Sequence, residues 1–281
     1  MGFLSHSFLF KGIEMKFFVV SDVHSYYYEL MQALDKAGFD KDDNSHIFVS
    51  CGDLLDRGPD AKKCLEFVNN LNDNRKILIK GNHEQLLEDI IHRGYFLSHD
   101  YHNKTHETVY QLTGIHPADN IPSIYSVDRA AILDMLVNKD WDNYKTKLVN
   151  YYETDKYIFV HGWIPFIIRF RDLDGGKIES VRCYTESWRN EDSDWESAKW
   201  INGMDAWRDG IREPGKTIVC GHWHSSWGHC NIHHNGVEFS ETTDNIPSIH
   251  TPFYDDGIIA LDACTAYSGF VNCVVLDIED K

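Results

Sequence analysis

No apolar run in the sequence approaches the roughly 20 residues that a membrane helix needs, so no spanning segment is expected. There is no C-x-x-C pair either. The seven cysteines (Cys51, Cys64, Cys183, Cys220, Cys230, Cys264, Cys273) make an odd count, and several lie inside apolar strand-like runs. A reduced thiol packs there as a small hydrophobe, which points to a reducing cytoplasm rather than a disulfide scaffold. Basic residues are short: 27 Lys and Arg stand against 44 Asp and Glu, a formal net charge of −17. The long-range field of such a chain repels duplex nucleic acid and anionic membrane, so neither is expected as a partner. The opening residues lack a basic n-region and a small-residue cleavage site, and no secretion signal is read in them.

What is present is a chain of 281 residues, 42% hydrophobic and 25% charged, long enough to bury a core without staples. Residues 1–14 read as an N-terminal extension, because Met15 opens the strand-like MKFFVV and could itself be a start site; 15–281 read as one domain. Five short runs rich in β-branched and aromatic residues recur, at Phe17–Val20, Ile47–Val49, Ile77–Ile79, Tyr157–Val160 and Thr217–Val219. Their length and composition favour buried strands. Tyr27, Leu30, Met31 and Leu34 repeat at helical spacing up to Gly38, a C-cap residue, and Cys64, Leu65, Val68 and Leu71 do so after Pro59, read as a first-turn position. Alternating strand and helix implies an α/β fold. Two stretches, about 94–150 (helical and irregular) and 172–215 (tryptophan-rich, without clean period), read as excursions from the sheet, and strands resume at Gly257–Leu261 and Val271–Ile278.

Each of the five runs ends in a group able to bind metal: Asp22 and His24 in VVSDVH, Asp53 in VSCGD, Asn82 and His83 in IKGNH, His161 in FVHG, His222 and His224 in VCGHWH. In open α/β sheets, sites form beyond the carboxyl ends of strands, so strand ends pointing one way would gather these side chains. Carboxylate, imidazole and amide donors without thiolate suit Mn, Fe or Zn rather than a structural zinc cage. The ligands are too many for one ion that also keeps water, and they fit two ions roughly 3.5–4 Å apart with a shared carboxylate.

D-x-H at Asp22–His24, G-D-x-x-D-R-G at Gly52–Gly58, G-N-H-E at Gly81–Glu84, H-G at His161–Gly162 and G-H-x-H at Gly221–His224 resemble the calcineurin-like metallophosphoesterases. GDLLDRG and GNHE are similar in particular to the phosphoprotein phosphatase branch, with its bacterial and phage members, and LDACTAYSG (Leu261–Gly269) to that branch's closing strand region. The resemblance implies a β-sandwich flanked by helices (αββα). It implies two divalent or trivalent ions, Mn first and Fe or Zn as alternatives. Asp22 and His24 would hold the first, Asp53 would bridge, and Asn82, His161 and His222 would hold the second. His224 departs from the branch, but the broader superfamily often has a histidine there that ligates the first metal. The resemblance makes His83 the general acid, Asp56 the carboxylate that orients it, and Arg57 the phosphate-binding fork. A metal-bridging hydroxide would attack phosphorus in line, so no covalent phosphoenzyme is needed and Cys51 need not be a nucleophile. A second arginine is usual in the family, and Arg208 and Arg189 are its candidates.

The expected function is therefore phosphomonoester hydrolysis of the Ser/Thr protein phosphatase type, on a phosphorylated peptide or protein. The rival is a dinucleoside polyphosphate or related nucleotide phosphoanhydride. Trp163, Trp223 and Trp227 lie beside ligands and could form an aromatic wall for a base or could pack in the core. The non-enzymatic alternative is a metal-bound pseudo-phosphatase that only binds, which predicts lost catalytic positions; none is lost. His229, Cys230, His233 and His234 read as a solvated loop.

Overall fold

In a computed structural model of the chain, residues 15–117, 124–173, 177–190, 192–240 and 248–278 are described, so the expected extension, 1–14, lies outside them. Strands β1 (Met15–Val20), β2 (His46–Ser50), β3 (Lys76–Ile79) and β4 (Leu148–Val149) run parallel, and a last strand, Cys273–Ile278, pairs antiparallel with β1 at the edge. A second sheet holds β5 (Tyr152–Glu153), β6 (Tyr157–Phe159) and two later strands, Thr217–Cys220 and Ile258–Ala260, with Phe253–Asp255 on its edge. All five expected runs are strands, but they divide between two sheets: β1, β2 and β3 in the first, β6 and Thr217–Cys220 in the second.

Period-2 alternation builds the layers. Phe17, Val19, Ile47 and Val49 turn inward and meet Phe159, Val219, Ile259 and Leu261 of the facing sheet. Their neighbours Phe18, Val20 and Phe48 turn outward beneath helices α1 (Tyr27–Ala37), α2 (Ala61–Asn70), α3 (Asn82–Arg93), α5 (Thr105–Thr113), α6 (Ile124–Met135) and α7 (Lys139–Lys145), with the short α4 (Ser98–His102) lying against α5. Ile158, Ile218 and Ile258 turn outward from the second sheet against Trp188, Trp195 and Trp207. Burial on both faces explains why these strands read as unbroken apolar runs. The result is the expected αββα sandwich.

Gly38 caps α1 at φ 82°, as its position predicts. Pro59 instead precedes the N-cap Asp60. It belongs to the loop pinned to the first strand's turn by Gly58 N–H to His24 O (2.9 Å) and Asp60 N–H to Ser25 O (3.0 Å). The first excursion supplies α4 to α7 and β4. The second begins earlier than expected, in a two-stranded ribbon of β7 (Ile167–Leu173) and β8 (Lys177–Cys183). None of the seven cysteines is in a disulfide. Among the described residues no helix is long and apolar enough to cross a membrane.

Candidate metal centre

Three strand ends of the first sheet and two of the second converge on one buried carboxylate. Asp53 Oδ2 lies 3.9 Å from His24 Nε2 and 3.9 Å from His83 Nε2, and Oδ1 lies 3.3 Å from His161 Nε2. Two groups with ligand atoms within 4.8 Å of one another share Asp53: with His24 and His83 on one side, with His161 and His222 on the other. Asn82 Oδ1 joins the second, 2.8 Å from His161 Nε2 and 2.9 Å from His222 Nδ1.

Orientation of the rings is set by backbone. His161 Nδ1 sits 2.7 Å from Cys51 O and His24 Nδ1 3.1 Å from Leu55 O. A carbonyl only accepts, so each Nδ1 donates and each Nε2 presents its lone pair to the centre. His161 Nε2 thus faces the oxygens of Asn82 and Asp53, and acceptors converging on acceptors require positive charge among them. A second proton or a cation meets that need, and the donor set fits a cation of the Mn, Fe or Zn kind. Burial opposes charge on His161, but the Asp53 carboxylate overrules it and raises the ring to about 9. His222 is pushed down to about 3, by burial first and by charged His161 next. Burial would raise Asp53, yet His161 and His83 hold it well below the ordinary carboxylate range.

Asp22 is buried beside these groups. Both its oxygens accept the His222 N–H, at 3.1 and 2.9 Å, and Ser21 Oγ donates to Oδ2 at 2.6 Å. Burial and the neighbouring Asp262 raise its pKa. His224 is not brought into either group: its Nδ1 is 2.8 Å from Ser226 Oγ and its ring stacks on Trp223. Arg57 Nη2 lies 3.4 Å from His83 Nε2, and His83 Nδ1 lies 2.7 Å from Asp56 Oδ2. Neither candidate second arginine joins them. Arg189 is paired with Glu153 and Glu213 and stacked on Trp188, and Arg208 bonds Asp205 and lies over Trp227. Burial pushes the Cys51 thiol up, which suits packing rather than nucleophilic attack.

The turns are tight because their glycines have no room for more. A Cβ at Gly81 would collide with Asp53 Oδ1, and one at Gly221 with Ser21 Oγ and Asp22 Oδ2. Positive φ, though, falls largely on the polar residues themselves: Asp22, His24, Asp53, Asp56, Arg57 and His222 all lie between 52° and 74°. Non-glycine residues hold such angles only where their surroundings impose them. Glu84 is one source of that constraint. Its buried carboxylate accepts from Gly81, Asp53 and Leu54 N–H, each at 2.9 Å, tying two motif loops together. Glu84 and Asp262 both stand inside motifs visible in the sequence, GNHE and LDACTAYSG, where neither signals a role of its own.

The outcome for the tryptophans is mixed. Trp163 is core, with its N–H donated to Ile211 O. Trp223 is 37% exposed beside His222, and Trp200, not singled out in the sequence, is 49% exposed on the same imidazole, ring centroids 5.8 Å apart.

A family model described as calcineurin-like phosphoesterase matches residues 15–249. Among curated proteins, the chain is 40% identical over 70 residues to the symmetrical bis(5'-nucleosyl)-tetraphosphatase of Buchnera aphidicola subsp. Baizongia pistaciae, covering 25% of this chain and 24% of that protein. It is 39% identical over 71 residues to serine/threonine-protein phosphatase 1 of Salmonella typhimurium, covering 25% and 31%. These matches thus span less than a third of either relative's length. Further relatives, from Proteus mirabilis to Psychromonas ingrahamii, carry the tetraphosphatase name. Among solved structures, the cold-active protein-tyrosine phosphatase of a psychrophilic Shewanella superposes with a TM-score of 0.48 at 14% identity, over 94% of this chain and 76% of that one.

Proposed function

Because the chain belongs to the calcineurin-like phosphoesterase family, we propose that it is a dinuclear metal-dependent hydrolase acting on nucleotide phosphoanhydrides, with dinucleoside polyphosphates as its substrate class. The observation that carries the dinuclear reading is Asp53, one buried carboxylate shared by two groups of imidazoles. Asp22, His24 and Asp53 would hold one ion, and Asp53, Asn82, His161 and His222 the other, with manganese the first choice. When bound, such a pair acidifies water and offsets phosphate charge. The chain's own groups do the rest. Arg57 takes non-bridging phosphate oxygens in its planar fork. His83 delivers a proton from Nε2 to the leaving oxygen while Asp56 holds Nδ1. His224, bonded to Ser226, is left as a flank of the site.

Sequence alone ranked a phosphoprotein substrate first, and two findings support the reverse order. Most named relatives are tetraphosphatases, and two exposed indoles, Trp200 and Trp223, flank His222 where a base attached to a metal-held phosphate would stack. The phosphoprotein reading keeps one specific support, the complete His83–Asp56 pair, since a serine or threonine alkoxide needs protonation more than a nucleoside diphosphate does. That none of the seven cysteines is in a disulfide supports a reducing, cytoplasmic setting.

Turnover of the Mn-loaded protein on a dinucleoside tetraphosphate and on a phosphothreonine peptide, side by side, tests this. Preference for the nucleotide is expected, and Trp200→Ala should then raise its KM several-fold while sparing 4-nitrophenyl phosphate. Preference for the peptide would reinstate the phosphatase reading. Turnover of neither, with metal bound, would leave a binding module.

A further inference from the structure

The first excursion matches none of the motifs, yet its helix α5 touches the catalytic loop at three successive turns. Thr105 Oγ1 donates to Asp56 Oδ2 at 2.6 Å, the same oxygen that His83 Nδ1 meets at 2.7 Å. Thr108 Oγ1 donates to Asp56 Oδ1 at 2.6 Å. Gln111 Nε2 donates to Gly58 O at 3.0 Å, and Gln111 Oε1 accepts the Ala61 N–H at 2.8 Å. Positions 105, 108 and 111 lie on one helix face. Thr105, Thr108 and Asp56 are wholly buried.

We propose that Thr105 and Thr108 are positioning residues for the general acid: through Asp56 they fix the ring of His83. The inference rests on the reading of His83 as acid. Two hydroxyls, one on each oxygen, fix the plane of the carboxylate. With Nδ1 held to that carboxylate, Nε2 stays turned toward the centre. In the reaction the Nε2 proton passes to the leaving oxygen as that oxygen takes the electron pair of the breaking P–O bond, while water supplies the new oxygen on phosphorus. A slack Asp56 would let the ring rotate and misdirect that proton, although hydrolysis of a good leaving group would continue.

The test is Thr105→Val/Thr108→Val in the Mn-loaded full chain, read on two small aryl phosphates that differ in leaving group, 4-nitrophenyl phosphate and phenyl phosphate. Turnover of phenyl phosphate is expected to fall by roughly tenfold or more, within the range a general acid supplies, and that of 4-nitrophenyl phosphate much less. The double Thr→Ser variant should restore both. Independently of activity, the His83 Nδ1 proton, identified by its loss in His83→Asn, should shift in the NMR spectrum of the metal-free Val variant and return in the Ser variant. Equal loss on both substrates with an unmoved resonance would overturn the proposal, leaving the threonines as packing. If the double variant does not fold, Thr105→Val alone is read by the same ratio and resonance. If the wild type turns over neither ester, the resonance alone decides: a shift in the Val variant that returns in the Ser variant supports the positioning role, and an unmoved resonance overturns it.

Discussion

Asp53 meets imidazoles from four separate segments, and asparagine in its place would remove the charge while keeping the shape. Asp53→Asn is expected to lose bound metal on dialysis, measured by elemental analysis; full retention would refute the bridging role. Glu84→Gln should keep the fold but weaken three charge-assisted bonds from buried N–H groups. A loss of about 1.5–3 kcal/mol in denaturant unfolding is expected. At this scale the residues that gather around Asp53 were legible because each follows a strand in a turn marked by glycine or an acid. Thr105 and Thr108 were not, since lone threonines in a stretch without period carry no signal of what they touch. Spacing brings His224 next to His222 in sequence, and its ring turns to Ser226.

Elements were legible where both faces of a strand are buried and opaque where neither is. β7 and β8 leave Ile168, Phe170 and Ile178 exposed, so their sequence shows no apolar face to count. The tryptophan-rich stretch looked irregular because its order comes from side chains: Arg189 stacks on Trp188 and clamps Glu153 and Glu213. Arg189 hydrogen bonds hold Glu153 below the ordinary range. Burial would raise Glu213, but Arg189, Trp188 and Tyr184 bring it down. Folded pKa values below the unfolded value of about 4.3 mean stability that is present above that pH and lost as pH falls through the folded values. Arg189→Met is therefore expected to lower stability at pH 7 and to flatten its decline towards pH 3, measured by urea titration. Parallel declines would show that the clamp contributes nothing.

At the scale of the whole molecule, a net charge of −17 opposes the approach of a polyanionic nucleotide, and the cations at the centre offset little of it. Salt should screen that repulsion over about 10 Å at 0.1 M. The kcat/KM for a tetraphosphate is expected to rise with ionic strength before any inhibition sets in; a monotonic fall would mean that the local field at the mouth dominates.

The division of the proposed ligands between two sheets has a consequence for cohesion as well. Asp22, Asp53 and Asn82 leave one sheet, His161 and His222 the other, and between them lies a layer of apolar side chains that grip without direction. An ion held across that seam works as a clasp on a closed book. Its binding free energy adds to cohesion as RT ln(1 + [L]/Kd), about 2.7 kcal/mol at a hundred times Kd. Chelation should lower the melting temperature and speed amide exchange first in the turns at His161 and His222, where the covers part. The group of residues proposed for the chemistry would then also keep the volume shut.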